Sequence, residues 1–478
     1  MKRTIKKVAV LGSGVMGSRI ACHFAGIGLQ VLLLDIQPKP EEGKKFDPNK
    51  IVNDALAAAL KSNPSPVYTK DTAKKIKTGN FTDNMKDIAS ADWVIEVVVE
   101  RLDIKKSVFD EVEKYRRPGT LITSNTSGIP IQLMAEGRSE DFKKHFCGTH
   151  FFNPPRYLRL LEIIPTPFTD TAVVDFLMHY GDLYLGKTTV LTKDTPAFIA
   201  NRIGVFGMMA IMKIMEKLQL SIDEIDALTG PLAGRPKSAT FRTADVVGID
   251  TLIKVAKGVY DNCPNDEAKD IFNIPAWLNK MVENNWLGDK TGQGFFKKVK
   301  TPDGKSDIQV LNLKTMEYTA RQKPKFATLE AAKPIEDLPA RLKILINGTD
   351  KAGEFYRQFH YSLFSYISHR IPEISDEVYR LDDAMMAGFG WEIGAFESWD
   401  ASGVAKTTEA MKAAGFTVAK WVDDMLAAGH NTFYKVENGK RLYYDIAGKT
   451  YKNLPGGDTF LVMKYFTNQT IWKNSSSR

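Results

Sequence analysis

Over residues 1–193, short runs of β-branched and apolar residues alternate with stretches of helical periodicity. The runs predict strands at Ile5–Leu11, Gln30–Asp35, Asp92–Val98, Thr120–Ser124, Phe146–Phe151, Leu160–Pro165 and Lys187–Thr192. Helical spacing falls between them at Met16–Gly28, Ile51–Lys61, Ile104–Tyr115, Ile131–Ala135 and Thr171–Leu185. This alternation predicts a parallel sheet with helices on both faces. From Pro196 the strand signal fades. A long apolar helix is expected over Ala197–Leu218, followed by helices at Ser221–Thr229, Thr243–Tyr260 and Pro275–Glu283. Residues 301–333 are polar and rich in Lys and Pro and read as a linker. Residues 334–430 are helical again, and 431–478 read as a tail with β-like pieces at Arg441–Ile446 and Thr459–Tyr465.

An internal repeat joins the two helical regions. Ile225-Asp226-Ala227, Ala233-Gly234, Phe241 and Val247-Gly248-Ile249 return as Leu381-Asp382-Asp383-Ala384, Phe389-Gly390, Phe396 and Ser402-Gly403-Val404, at an offset of about 156 residues. Duplicated helical units explain it. The chain thus divides into 1–193, a helical domain at 194–300, the linker, a second helical domain at 334–430, and the tail.

The 478 residues, 43% hydrophobic and 26% charged, hold enough apolar side chain for folded cores, which excludes a disordered or fibrous chain. No apolar run approaches the roughly 20 residues that cross a bilayer. The basic start, Met1-Lys-Arg-Thr-Ile-Lys-Lys, lacks the apolar stretch of a secretory signal. Three widely spaced cysteines form neither a disulfide framework nor a metal set, so a reduced, cytoplasmic setting and no metal are expected. The net charge of +8 is mild, and no basic run interleaved with aromatics points to nucleic acid.

The sharpest local motif is Gly12-Ser-Gly14-Val15-Met16-Gly17, set between a strand and a helix. Gly12 suits the tight turn, Gly14 lets backbone approach a pyrophosphate, and Gly17 lets helix and strand pack closely. A second strand ends in Asp35, where a carboxylate can accept both ribose hydroxyls and repels a 2′-phosphate. The expectation is a Rossmann-like domain that binds NAD. Gly181-Asp-Leu-Tyr-Leu-Gly186-Lys187-Thr188 matches a P-loop but ends a helix and enters a strand, so it reads as a helix cap with Lys187 at its negative end. A dehydrogenase needs a base, and of seven histidines only His150 ends a strand in this domain. If the chain turns back around Arg156, His150 and Glu162 become cross-strand partners.

Together, Val10–Gly17, Ser124-Asn-Thr-Ser127, Gly148-Thr-His-Phe-Phe-Asn-Pro154, Asp194–Arg202 and Asp289-Lys-Thr-Gly-Gln-Gly-Phe-Phe296 resemble the 3-hydroxyacyl-CoA dehydrogenase family over roughly residues 4–298. The resemblance implies a Rossmann-like domain followed by a helical domain, with NAD-dependent oxidation of an (S)-3-hydroxyacyl-CoA to the 3-ketoacyl-CoA. It implies His150 as base, Glu162 as its orienting acid, and Ser127 and Asn201 at the substrate's C3 oxygen and thioester. Gly12, Gly14, Val15, Met16, Gly17, Asp35, Glu100, Lys105, Asn153 and Lys290 become cofactor contacts. CoA is expected at the excursion Pro38–Thr82, which carries Lys39, Lys44, Lys45, Lys50, Lys61, Lys70, Lys74, Lys75 and Lys77.

The fold class is therefore an α/β Rossmann-like domain followed by two all-α helical domains. The second lacks a counterpart of Asn201-Arg202 near Arg357, so it is expected to be catalytically silent and to pack on the first in place of a partner subunit, giving a monomer. Larger relatives of this kind carry an enoyl-CoA hydratase domain, and the chain reads as a piece of, or an associate of, such a protein. Two other readings remain open: an inactive NAD- or acyl-CoA-binding scaffold, and a dehydrogenase of another β-hydroxy acid.

Overall fold

The structure, a computed structural model, describes residues 3–40, 42–43, 45–301, 304–457 and 462. The chain forms two compact units. The first comprises the described residues of Met1–Val205 with Ile253–Asn273 and Asp383–Gly390. The second comprises Phe206–Leu252, Ile274–Asp382 and the described residues of Trp391–Arg478.

The first unit is built on an eight-stranded sheet in the order β3-β2-β1-β4-β5-β6-β7-β8. Its strands are β1 (Lys7–Leu11), β2 (Gln30–Asp35), β3 (Ile76–Asn80), β4 (Trp93–Glu96), β5 (Leu121–Ser124), β6 (Phe146–Phe151), β7 (Leu160–Pro165) and β8 (Thr188–Leu191). Strands β3 to β6 run parallel, β7 turns back antiparallel to β6, and β8 runs parallel to β7. The sheet is thus parallel from β3 to β6, and the expected turn back of the chain makes β7 the antiparallel partner of β6, with His150 opposite Glu162. Side chains alternate between two buried cores: Val8, Val10 and Ile95 join one, Ala9, Leu11 and Val94 the other. A sheet apolar on both faces must be covered on both, and this is why the strands read as near-continuous apolar runs. The edge strand β3 escaped the sequence reading because Ile-Lys-Thr-Gly-Asn offers a single large apolar residue.

The second unit repeats one hydrogen-bonding device. Asp226 accepts backbone N–H groups of Thr240, Phe241 and Arg242, and Asp245 those of Phe295 and Phe296. Asp382 and Asp400 stand at the repeat offset from these two: Asp382 accepts from Phe396 and Glu397, and Asp400 from Phe433 and Tyr434, the last pair reached through a shorter connection. In each stretch the paired aromatic rings touch, Phe241 with Phe295 and Phe396 with Phe433, at 4.6 and 4.9 Å. A three-stranded antiparallel sheet follows each: β9 (Phe296–Lys300), β10 (Ser306–Asn312) and β11 (Glu317–Ala320), then β12 (Tyr434–Glu437), β13 (Lys440–Asp445) and β14 (Thr450–Asn453).

These sheets correct two boundaries. The presumed linker holds β10, β11 and a helix at Ala327–Ala332, because Val310 and Leu311 are buried within an otherwise lysine-rich stretch. The presumed tail contributes β12–β14, anchored by Asp400. The β-like piece expected at Thr459–Tyr465 lies outside the described residues, apart from residue 462, which is in no strand. No helix among the described residues is long and apolar enough to cross a membrane.

Candidate active site

The glycine turn follows β1. Gly12 has φ +103°, and a Cβ there would stand 2.5 Å from the Val97 carbonyl oxygen. A Cβ on Gly17 would overlap the Gly12 carbonyl, so both positions are closed to side chains by the protein itself. Gly14 differs, since a Cβ there meets nothing within 4 Å. It precedes the helix Val15–Gly26, whose N-terminus has no side-chain cap, leaving Val15 and Met16 in the first turn with backbone donors for an anion. Asp35, at the end of β2, accepts from Ser13 N and Ser13 Oγ, both at 2.6 Å, which sets its carboxylate against the same turn. An uncapped helix end, an open Gly14 and an adjacent carboxylate fit the pyrophosphate and ribose of NAD.

Beside this turn lies a buried ionic group. Lys105, only 1% exposed, donates to Glu96 Oε1 and Oε2 at 2.8 and 3.0 Å and lies 3.3 Å from Glu100 Oε2. Glu96 also accepts from Ser124 Oγ at 2.5 Å and Val98 N at 2.6 Å. Burial raises the Glu96 pKa despite these partners. At Glu100 burial works the same way, but Lys105, Thr126 and the Ser127 N–H outweigh it and lower the pKa. Glu100 Oε1 accepts Thr126 Oγ1 at 2.5 Å and Ser127 N at 2.9 Å, so it fixes the backbone of the exposed Ser127. Lys105 therefore faces inward, toward Glu100, and not onto a helix surface. Sequence reasoning missed Glu96. An acid inside the buried run Trp93-Val-Ile-Glu96 was the available signal.

His150 and Glu162 pair across β6 and β7 in register, with Nδ1 2.7 Å from Oε2. Both are buried. A carboxylate only accepts, so Nδ1 is the donor and Nε2 carries the free lone pair. The other Glu162 oxygen accepts Ile199 N at 3.1 Å and Ala200 N at 2.9 Å. Glu162 thereby ties the base to the start of the helix Ala200–Leu218, where Asn201 is the second residue. The chain reaches that point through Ala197 and Phe198, at φ +64° and +52°, left-handed values that cost energy for non-glycine residues. Ring contacts of His150 with Phe152 and Phe198, at 4.6 and 5.6 Å between centroids, complete the enclosure.

Other expected residues fall as follows. Asn153 Oδ1 accepts from Arg19 Nη1 at 2.8 Å, linking the β6–β7 loop to the helix after the glycine turn. Lys290 belongs to the second unit, where it pairs with Asp250. Lys187 does not meet a helix end. Its buried ammonium donates to the Pro155 carbonyl and, at 2.7 Å, to that of Leu158, holding the loop that carries Asn153. Gly186, at φ +62°, lies three residues beyond the end of the preceding helix at Leu183, whose C-cap is Tyr184. Of the lysines in the excursion, Lys50, Lys74 and Lys77 pair with Asp54, Asp71 and Asp87, and Lys44 lies outside the described residues.

Residues 7–195 match the family model for the 3-hydroxyacyl-CoA dehydrogenase NAD binding domain, and residues 198–298 match that for the C-terminal domain of the same dehydrogenase. The chain is 46% identical over 455 residues to a probable 3-hydroxyacyl-CoA dehydrogenase of Bacillus subtilis, covering 93% of this chain and 57% of that protein. It is 46% identical over 296 residues to a probable 3-hydroxyacyl-CoA dehydrogenase of Deinococcus radiodurans, covering 62% of this chain and 84% of the relative. The solved 3-hydroxybutyryl-CoA dehydrogenase of Escherichia coli K12 shares the fold with a TM-score of 0.63 at 21% identity, covering 90% of this chain and all of that one.

Proposed function

Because this chain belongs to the 3-hydroxyacyl-CoA dehydrogenase family, we propose that it oxidises (S)-3-hydroxyacyl-CoA to 3-ketoacyl-CoA with NAD, in the cytoplasm, as part of fatty-acid oxidation. The observation that carries this reading is the His150–Glu162 pair, with Glu162 bonded at its second oxygen to the backbone that leads into Asn201.

Gly12, Gly14, Val15, Met16, Gly17 and Asp35 would hold NAD, which when bound would supply the hydride acceptor. Nε2 of His150 takes the proton of the C3 hydroxyl, and the Glu162 carboxylate stabilises the imidazolium that forms. Ser127 and Asn201 orient the C3 oxygen and the thioester with groups that do not titrate near neutral pH. Glu100 sets Ser127 by accepting its backbone N–H, and it would help hold the nicotinamide ribose of bound NAD. Asn153 would complete the cofactor contacts, and the lysines of the 38–82 excursion would receive the CoA phosphates.

The chain spans 57% of the length of the Bacillus subtilis relative, so a longer protein with further activities is part of the same proposal, an enoyl-CoA hydratase domain among them. The repeated Asp–aromatic device supports reading the second helical stretch, with its sheet, as a silent copy of the first that takes the place of a partner subunit.

Formation of NADH, followed by absorbance with a chain-length panel of 3-hydroxyacyl-CoAs, tests the activity. Native chain should turn over and His150→Gln should not; equal rates remove His150 from the role. Turnover of a free β-hydroxy acid without CoA would replace this reading with that of a different dehydrogenase.

A further inference from the structure

Residues Asp383–Gly390 come from the second helical stretch yet belong to the first unit. They touch both elements that carry the proposed chemistry. A Cβ on Gly388 would stand 2.6 Å from Leu160 Cδ2 and 3.5 Å from Ala200 Cβ. Leu160 and Glu162 lie on one face of β7, two residues apart. The next residue, Phe389, lays its ring tip on Gly204, where an added methyl would overlap it. Asn201 and Gly204 are three residues apart in the same helix and share its face. An acyl chain held at its thioester by Asn201 can follow this face only while no side chain fills it. Gly204 leaves the face bare, and the half-buried Phe389 ring is what occupies it.

The repeat sharpens the point. Phe389-Gly390 corresponds to Ala233-Gly234, and both glycines hold the same left-handed turn, φ +65° and +67°. The backbone is kept and the side chain before it is changed, from a methyl to a benzyl group. Packing on Gly204 is thus a property of the second stretch alone.

We propose that Phe389 is a specificity-determining residue that stops the acyl chain along the Asn201–Gly204 face. The proposal rests on the dehydrogenase reading above and names its chain-length determinant. It is tested by kcat/KM for 3-hydroxybutyryl-, octanoyl-, dodecanoyl- and hexadecanoyl-CoA homologues with wild type, Phe389→Leu and Phe389→Ala, together with calorimetric affinities for the matching acyl-CoAs. A filled apolar pocket discriminates by roughly 10–200-fold per methylene. The ratio of longest to shortest substrate should therefore rise about tenfold or more in Phe389→Ala, and by a smaller factor in Phe389→Leu. A defect of folding alone would depress all chain lengths equally, and an unchanged ratio in both variants overturns the proposal. If Phe389→Ala does not fold, the smaller shift in Phe389→Leu decides alone. Absence of turnover in every protein, with the affinity profile still shifted, would overturn the dehydrogenase reading and keep Phe389 as the stop.

Discussion

Glu162 stands directly opposite His150 across β6 and β7 and bonds it at 2.7 Å, while its other oxygen accepts two backbone N–H groups. Both lone-pair sets are therefore committed, one to the base and one to the Asn201 segment. In Glu162→Gln the amide oxygen can keep the two backbone donors, and the amide NH₂ then faces Nδ1. A donor there forces the proton onto Nε2, the atom that must accept. Turnover should fall by about 10³–10⁴, as for other wrong-tautomer substitutions, with NAD affinity little changed. Stopped-flow NADH formation alongside a cofactor titration checks this. A loss of less than about tenfold would mean that Glu162 does not set the tautomer.

The buried Glu96–Lys105 pair lends itself to a double-mutant cycle. Removing the amine with Lys105→Met leaves the fully buried Glu96 without its countercharge, and breaking such a pair costs about 3–5 kcal/mol. Glu96→Gln in the same chain removes the orphaned charge, so the double variant should regain most of that loss in urea unfolding. Its NAD affinity should stay weakened, because Glu100 has lost the cation that steadies it. Additive losses in the cycle would contradict the coupling.

How much of this could be read from the chain is uneven for physical reasons. The glycine turn, Asp35 and the His150–Glu162 register were legible because strand period and turn position fix them locally. Glu96 was not, because its partners Ser124 and Lys105 come from other elements and a lone acid in an apolar strand reads as an anomaly. Phe389 was visible only as half of a repeat, since its packing on Gly204 spans a sequence distance that no local pattern encodes. The piece read at Arg441–Ile446 is β13, but the other strands of the two small sheets were hidden by polar and charged residues, with Phe296, Val310 and Leu311 marking the core side of the first.

Lys187 offers a pH test away from the chemistry. Burial brings its pKa down from an ordinary 10.5 to about 8, and its partners are carbonyls of the loop 153–159. Below about pH 8 the amine is charged both folded and unfolded, and its contribution is flat. Between about 8 and 10.5 the unfolded chain holds the proton and the folded chain has released it, so stability rises with pH. Compared with Lys187→Met, wild type should therefore gain about 1–3 kcal/mol on going from pH 7 to 10. Chemical unfolding at several pH values gives the difference directly. A wild-type-minus-variant stability that stays constant, or falls, as the pH rises rules out a depressed amine.

The three glycines of the turn separate structure from ligand binding. Gly12 and Gly17 are closed by the protein's own carbonyls, so Gly17→Ala must push the helix Val15–Gly26 off β1 and should destabilise the fold, read as a lowered Tm. Gly14 has ordinary φ, −55°, and open space where its Cβ would be. Gly14→Ala should therefore melt within a degree or two of wild type. Its methyl group would collide only with a bound pyrophosphate, which approaches this backbone closely. NAD affinity should drop about tenfold or more while the affinity for acyl-CoA alone is retained. Calorimetric titration of each ligand distinguishes the outcomes. Unaltered NAD binding in folded Gly14→Ala would place the pyrophosphate somewhere other than the helix N-terminus.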